Sequence, residues 1–243
     1  MSLGIIVITN KTTLPEVFLR RLNFADKVLF VYETKKPSLE VNLNNVDFLQ
    51  TGLEANFSKK RNAGLKRIKT DWVLFVDDDE IISNQLAKEI KDKINDKSFS
   101  GYYLTRYDLC FYQELKHGEI KNQKILRLAR GGKGVFSRSV HEVWSINGNL
   151  GYLDNILYHQ KDYFISQFIA RIRQYAPQDV DSLNKENKHY SLFKLLFYPI
   201  LKFLYNYFVK LGYKDGLPGL FLAYLMSVQS LSVRLYQWEK TLK

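Results

Sequence analysis

Four consecutive acids, Asp77-Asp78-Asp79-Glu80, follow directly on the apolar run Trp72-Val73-Leu74-Phe75-Val76. Like charges side by side cost free energy unless a cation or solvent offsets them. Hard divalent cations take such oxygen ligands, and magnesium typically uses one or two carboxylates and completes its shell with waters and substrate phosphates. Asp77 and Asp79, separated by a single residue just past a strand, can face one crevice. They are candidate ligands for Mg2+ or Mn2+. The same pattern also fits a solvated loop whose aspartates cap the next helix, and spacing alone does not choose between the two.

Basic residues form a second set. Lys59, Lys60, Arg61, Lys66 and Arg67 share one predicted helix, and Arg127 and Arg130 lead into Gly131-Gly132-Lys133-Gly134. Cations of this kind bind phosphate through charge-assisted hydrogen bonds; a solvated helix face and a flexible basic loop are the plainer readings. Val140-His141-Glu142, ahead of Val143-Trp144, sets an imidazole beside a carboxylate. His141 can ligate a metal or contact phosphate, or be structural, and the same choice applies to His159, for which a structural role is the preferred reading.

These residues need elements to position them. Residues 3–9 form a continuous apolar, β-branched run, the pattern of a strand buried on both faces. A short helix is predicted over 14–22, with Thr13 as its N-cap and Pro15 at an early position. Strands follow at 27–32 and 46–49, a basic helix at 56–68, a strand at 72–76, and a helix capped by Ser83 that runs to about 94. Strands alternating with helices predict an open, mostly parallel sheet. Such sheets bind ligands beyond the carboxyl ends of their strands, and the acidic cluster lies at one of those ends. Strands are also expected at 101–107 and 153–159, with 127–134 as a loop, and 163–190 is read as helical, then polar.

The composition sets outer bounds. With 243 residues, 46% hydrophobic and 25% charged, the chain has room for one α/β domain and an appendage. The single cysteine, Cys110, excludes an intramolecular disulfide and is compatible with a reducing compartment. No signal peptide is recognised: the apolar stretch at 3–9 is short and lacks a basic leader. A net charge of +11 points to a polyanionic partner: nucleic acid, an anionic membrane or nucleotide phosphates. No nucleic-acid-binding motif is present, so nucleic acid is not expected as a partner.

The segment DWVLFVDDDEIIS resembles the D-W-V-L-x-x-D-A-D-E-x-[IV]-S segment of family-two glycosyltransferases related to the lipopolysaccharide-core glucosyltransferases. Further motifs follow in the same order. Phe57-Ser58-Lys59-Lys60-Arg61-Asn62-Ala63-Gly64-Leu65 is similar to the family's F-x-x-Q-K-N-x-A-L helix, and Gly101 to Arg106 to its G-[FY]-x-x-x-R strand. Arg127-Leu128 with Val140-His141-Glu142 resembles R-L-[FY]…V-H-E. Gly151-Tyr152-Leu153 with His159 resembles G-x-L…H, and Gly212 to Gly219 resembles G-[FY]-x-D-G-x-x-G. The set covers nearly the whole chain.

The resemblance implies a GT-A fold, the nucleotide-diphospho-sugar transferase form of the Rossmann-like α/β sheet flanked by helices. It implies a metal-dependent, inverting transfer of a sugar from a nucleotide-diphosphate donor, a UDP-sugar being favoured, to a glycan or lipid-linked acceptor. Asp77 and Asp79 then correspond to the metal-binding pair, with His141 as a further ligand. Thr9, Asn10, Glu33, Lys60, Arg61, Asp77, Asp78 and Arg127 map to the donor side. Glu142 is the candidate base, which takes the acceptor hydroxyl's proton as it attacks. The sequence departs from the family after the second strand, where an Asp-rich stretch is replaced by Glu33-Thr34-Lys35-Lys36, and where Glu33 stands as the substitute. The intervening Asp78 is often Ala in the family.

The catalytic domain is expected over 1–160 and a helical region over 161–243. Residues 191–213 are strongly apolar, but Lys194, Lys202 and Lys210 interrupt them and Pro199 would kink a helix. Residues 217–238 are a second apolar helical stretch. Spaced lysines among Phe, Tyr and Leu suit amphipathic helices lying in an anionic membrane surface better than a bilayer span. That pattern predicts peripheral attachment to a membrane surface, and the resemblance implies a cytoplasmic protein at the inner face of the cell membrane. Packing on the catalytic domain or on another copy in a homo-oligomer fits the same pattern. A non-catalytic nucleotide-sugar-binding or membrane scaffold protein is the alternative to the enzyme, and a metal-dependent nuclease the third reading.

Overall fold

The structure is a computed structural model that describes residues 1–52, 57–119, 123–137, 143–160 and 163–242. The chain divides into two compact units, one of Met1–Tyr107 with Asn122–His159, the other of Asp108–Lys121 with Gln160–Lys243. The first unit is therefore discontinuous, interrupted by the segment Asp108–Lys121.

In chain order the first unit comprises β1 (Leu3–Ile8), β2 (Thr13–Leu14), α1 (Glu16–Arg20), β3 (Lys27–Tyr32), β4 (Ser38–Leu39), β5 (Val46–Gln50), α2 (Phe57–Arg67), β6 (Trp72–Asp77), β7 (Glu80–Ile82) and α3 (Asn84–Lys93). It continues with β8 (Gly101–Leu109), β9 (Gln123–Arg130), β10 (Gly134–Ser137), β11 (Val143–Ile146) and β12 (Leu150–Gln160). Eight of these strands form one sheet in the order β5-β3-β1-β6-β9-β8-β12-β7. The half containing the amino-terminal strands is parallel: β1 pairs with both β3 and β6, and β3 with β5. β9 joins antiparallel to β6 and β8, and β7 antiparallel to β12. The expected α/β fold, a sheet flanked by helices with further helices at the carboxy terminus, is the fold found.

Every residue of β1 is buried. Its alternate side chains enter two cores, as a strand covered on both faces requires. Ile5 and Val7 join Phe30, Trp72 and Leu74 against Leu19 of α1 and Leu86 and Ile90 of α3. Ile6 and Ile8 join Leu29, Val31, Val73 and Phe75 on the other face, where Phe136 and Trp144 of the β10–β11 hairpin close the layer. Fully burying each such side chain stabilises the fold by about 1.5–3 kcal/mol. α2 lies close on this second face because Gly64 lets it: a Cβ there would stand 3.0 Å from Ile6 Cγ2.

Two local expectations change and one holds. The first helix is only Glu16–Arg20, with Pro15 at its N-cap, because Thr13 and Leu14 pair in parallel with Ser38 and Leu39. Ser83 does cap α3, accepting the Leu86 N–H at 3.1 Å. Residues 127–130 are not loop but the end of β9, and only Gly131 to Lys133 form the turn into β10.

The second unit contains α4 (Phe164–Lys185), α5 (Leu192–Leu204), a π-helical turn (Tyr205–Val209), a 3-10 turn (Gly212–Asp215) and α6 (Gly216–Thr241). α5 folds back along α6, with Tyr198 near Arg234, the Ser227 hydroxyl donating to the Pro199 carbonyl at 2.8 Å and Phe203 tilted against Tyr224. α4 packs on α6 through Ile172, Ala176, Val180 and Val233. The segment 108–121 is fastened to this hairpin. Asp215 accepts the His117 N–H at 2.9 Å, Asn206 accepts the Glu119 N–H at 3.1 Å, and Lys202 pairs with Glu119 at 2.6 Å.

Candidate active site

The residues singled out on the donor side gather at the carboxyl ends of β1, β3 and β6. Thr9 follows β1 and is buried; its N–H donates to Val31 O across to β3, and its hydroxyl donates to Asp78 Oδ2 at 2.5 Å. Lys11 closes over the same carboxylate at 3.4 Å and donates to the Asp78 carbonyl at 3.0 Å. Burial pushes the Asp78 carboxyl above its usual range, the Thr9 and Lys11 contacts oppose that, and the Asp79 charge adds to it. Asp78 thus fastens the segment after β1 to the segment after β6. Asn10 is exposed beside it.

Glu33 follows β3 and forms an ion pair with Lys60 of α2, both side chains largely buried. Lys60 also lies over the Phe57 ring at 4.8 Å. One residue on, Arg61 has its guanidinium 5.3 Å from the Phe75 ring and 5.4 Å from the Phe136 ring, and it donates to Asp77 Oδ1 at 3.3 Å. Asn62 exchanges two 2.8 Å hydrogen bonds with the Phe136 backbone, and Ser58 donates to the Ser137 carbonyl. The first turns of α2 therefore supply cations to the site and anchor the β10–β11 hairpin at once.

Asp77 is the last residue of β6. Arg127 Nη2 donates to its Oδ2 at 2.5 Å and to Glu80 Oε1 at 3.3 Å, and Arg106 lies 3.8 Å from Glu80. A bulge explains how Arg127 gets there. Between β8 and β9, Tyr102 pairs with Leu128 but Tyr103 pairs with Leu126, so Arg127 is the extra residue. A bulge re-aims its side chain, and such irregularities favour active sites. Burial works against the Asp77 charge, but the Arg127 and Arg61 guanidinium groups outweigh it and lower its pKa to about 2. Glu80 moves the other way: burial raises its pKa, Arg127 opposes, and the adjacent Asp77 charge raises it further. Three arginines surround two carboxylates, so the cluster carries a positive excess even with both acids ionised.

Both Asp77 oxygens are engaged by arginines, Oδ1 by Arg61 and Oδ2 by Arg127. Asp79 differs. Its side chain is 38% exposed, and one oxygen lies 2.9 Å from His159 Nε2. The register accounts for the pairing: β7 begins at Glu80, and Glu80 sits opposite His159 on β12. His159 is buried, and this contact ties β12 to the acidic run. Among the described residues, no group of three or more His, Cys, Asp or Glu side chains gathers as a metal cage. Asp79 and His159 would offer one carboxylate and one imidazole to a divalent ion such as Mg2+ or Mn2+. His141 and Glu142 lie outside the described residues; their flanks, Ser137 and Val143, pair in the β10–β11 hairpin. Sequence reasoning did not assign Glu80, Arg106 or Lys11 to the site. Glu80 ends the acidic run and Arg106 ends the G-[FY]-x-x-x-R strand, so both carried a signal.

No protein-family model matches the chain. A curated relative, the lipopolysaccharide core biosynthesis glycosyltransferase LpsC of Rhizobium meliloti (strain 1021), is 23% identical over 167 residues. The match covers 67% of this chain and 62% of that relative. Among solved structures, S. aureus TarS 1–349 is 16% identical with a TM-score of 0.45, covering 99% of this chain and 92% of that one. The mannosyltransferase PcManGT of Pyrobaculum calidifontis, solved with GDP-Man and Mn2+, is 12% identical with a TM-score of 0.44, covering 98% and 87%. The chain resembles GT-A-type glycosyltransferases. Thr9, Glu33, Lys60, Arg61, Asp77, Asp78 and Arg127, the residues expected on the donor side, stand close to one another around the carboxyl ends of β1, β3 and β6.

Proposed function

We propose that this chain is a glycosyltransferase that moves a sugar from a nucleotide-diphosphate donor, a UDP-sugar being favoured, to a hydroxyl of a lipid-linked or cell-envelope glycan. The observation that carries the reading is the positively charged cluster of Arg61, Arg106 and Arg127 around Asp77 and Glu80, at the carboxyl ends of β1, β3 and β6. A departing nucleoside diphosphate gathers negative charge, and preorganised cations aimed at that charge stabilise the transition state. The curated relative is itself named for glycosyl transfer, which supports the same reading.

In this mechanism Arg61 and Arg127 bind and orient the diphosphate, with Asp77 holding the two guanidinium groups in place. Glu33 and Lys60 line the nucleotide side. Asp79 and His159 would hold a divalent ion, Mg2+ or Mn2+, whose chemistry when bound is to neutralise the leaving diphosphate. Glu142 removes the acceptor hydroxyl's proton, and attack opposite the diphosphate inverts the anomeric centre. The helical unit attaches the enzyme peripherally to an anionic membrane surface, the character of the cytoplasmic leaflet. Leu192–Val209 and Gly212–Thr241 are long and apolar enough to cross a membrane by length and composition, yet only 6% and 22% of them is buried.

Calorimetric titration with a panel of nucleoside diphosphates and nucleotide sugars, with Mn2+ and then with EDTA, tests the proposal. Metal-dependent binding with preference for one base is expected. An absence of binding across the panel would favour a non-catalytic scaffold.

A further inference from the structure

The helical unit contains a groove of about 1150 Å3 between α4, α5 and α6. One wall is α5 with its π-helical turn: Leu201, Leu204, Tyr205, Phe208 and Val209. Met226 and Val233 of α6 and Leu183 of α4 face it. The groove opens on an apolar surface, because Leu201, Leu204, Phe208 and Val209 are 53, 41, 55 and 67% exposed. The exposed apolar side chains continue along α5 through Phe193, Leu196, Phe197 and Ile200. A helix that is apolar on its exposed faces needs a cover that is not water. A hydrocarbon chain from such a cover enters the groove sideways without crossing water.

The π turn and one cation shape the interior. π turns are rare and concentrate at functional sites. Here the buried Asn206 holds the turn, donating to the Lys202 carbonyl at 3.0 Å and accepting the Glu119 N–H. Of the charged lining residues, Lys202 and Glu119 neutralise each other and Asp179 is exposed. Arg234 is different. Its guanidinium lies 5.2 Å from the Tyr198 ring, it donates to Gln237 Oε1 at 2.5 Å, and its buried Nε has no hydrogen-bond partner. Among the described residues no carboxylate pairs with it. A half-buried guanidinium without an anion is costly, and its fork matches phosphate oxygens.

We propose that this groove binds one anionic phospholipid of the bilayer, with the phosphate on Arg234 and an acyl chain along α5 and its π turn. The inference rests on the membrane-surface reading of the helical unit and is independent of the transferase reading.

The test uses the full chain in nanodiscs of equal parts phosphatidylcholine and phosphatidylglycerol, the latter carrying a diazirine on its acyl chain. Native mass spectrometry after release should show one retained phosphatidylglycerol, and photolabelling should map to residues 201–209 and 226–233. Arg234→Gln should lower phosphatidylglycerol retention by about tenfold, the scale of one charged hydrogen bond. Ser230→Phe should fill the groove and abolish the label. Both variants should still float with anionic vesicles, which separates the groove from membrane attachment as such. Should Ser230→Phe not fold, Arg234→Gln decides alone. Retention equal to the parent in the folded variants, label spread evenly to Phe193 and Phe197, or Ser230→Cys chains that crosslink copy to copy would each overturn the proposal.

Discussion

Arg127 joins two acids that would otherwise repel each other. Removing one partner from a buried ionic group leaves an uncompensated charge and costs about 3–5 kcal/mol. Here Arg61 and Arg106 remain beside Asp77 and Glu80, so Arg127→Ala should cost about 3 kcal/mol, at the low end of that range, read as a lower urea midpoint. UDP affinity should fall with it. Arg127→Lys should recover part of the stability and little of the affinity, since an ammonium lacks the fork. A folded Arg127→Lys chain that binds UDP as the parent does would remove Arg127 from the donor site. Asp79 and Glu142 separate by a different readout. Asp79→Asn should abolish the Mn2+-dependent part of donor binding with the fold intact, and normal turnover by that variant would end its metal role. Glu142→Gln should keep donor affinity and lose transfer; equal loss of both would make Glu142 a binding residue.

At the scale of elements, α2 is held to the sheet edge by charge as well as by Gly64. Arg67 donates to Asp47 of β5 at 3.1 Å, and Lys27 lies 3.7 Å from the same carboxylate. The Arg67 hydrogen bond holds the Asp47 pKa below its ordinary 3.8. A folded-state pKa below the unfolded one means the pair contributes stability above the unfolded value and loses it as pH falls through the folded one. Arg67→Gln should therefore return the Asp47 pKa, followed by NMR, towards 3.8, and should lower stability slightly above about pH 4, by under about 1 kcal/mol because the pair faces solvent, a difference that fades as pH falls through the folded-state pKa. An unmoved Asp47 titration would assign the shift to Phe48 N–H and Lys27. Buried parallel strands were legible in the sequence because two covered faces require unbroken apolar runs, as in β1, β3 and β6. β9 was not. Its run Gln-Lys-Ile-Leu-Arg-Leu-Ala-Arg breaks alternation at the bulge, and Arg127, the residue that breaks it, is the one the site uses. The contact between His159 and Asp79 was hidden for a related reason: it follows from a register between β7 and β12, and a three-residue strand inside an acidic run leaves almost no periodic signal.

At the scale of the whole molecule, the chain combines a net charge of +11 with two long helices whose apolar side chains are mostly exposed. Two forces then act on membrane binding and can be separated. Lysines near an anionic surface contribute about 1 kcal/mol each and are screened by salt, whereas apolar side chains act through buried area and are not. Lys194, Lys210 and Lys214 of the helical hairpin are free to be changed without touching the Lys202–Glu119 pair that fastens the segment 108–121. Replacing all three by Gln should weaken binding to phosphatidylglycerol vesicles by about 3 kcal/mol at low salt and abolish most of its salt dependence. Phe193→Ser with Phe197→Ser should instead weaken binding to neutral and anionic vesicles alike, because those rings, 4.5 Å apart and largely exposed, act by area. Co-sedimentation at two salt concentrations reads both. If the three lysine changes leave binding untouched while the phenylalanine changes dissociate a dimer, the apolar face belongs to another copy of the chain and the positive charge serves the donor site alone.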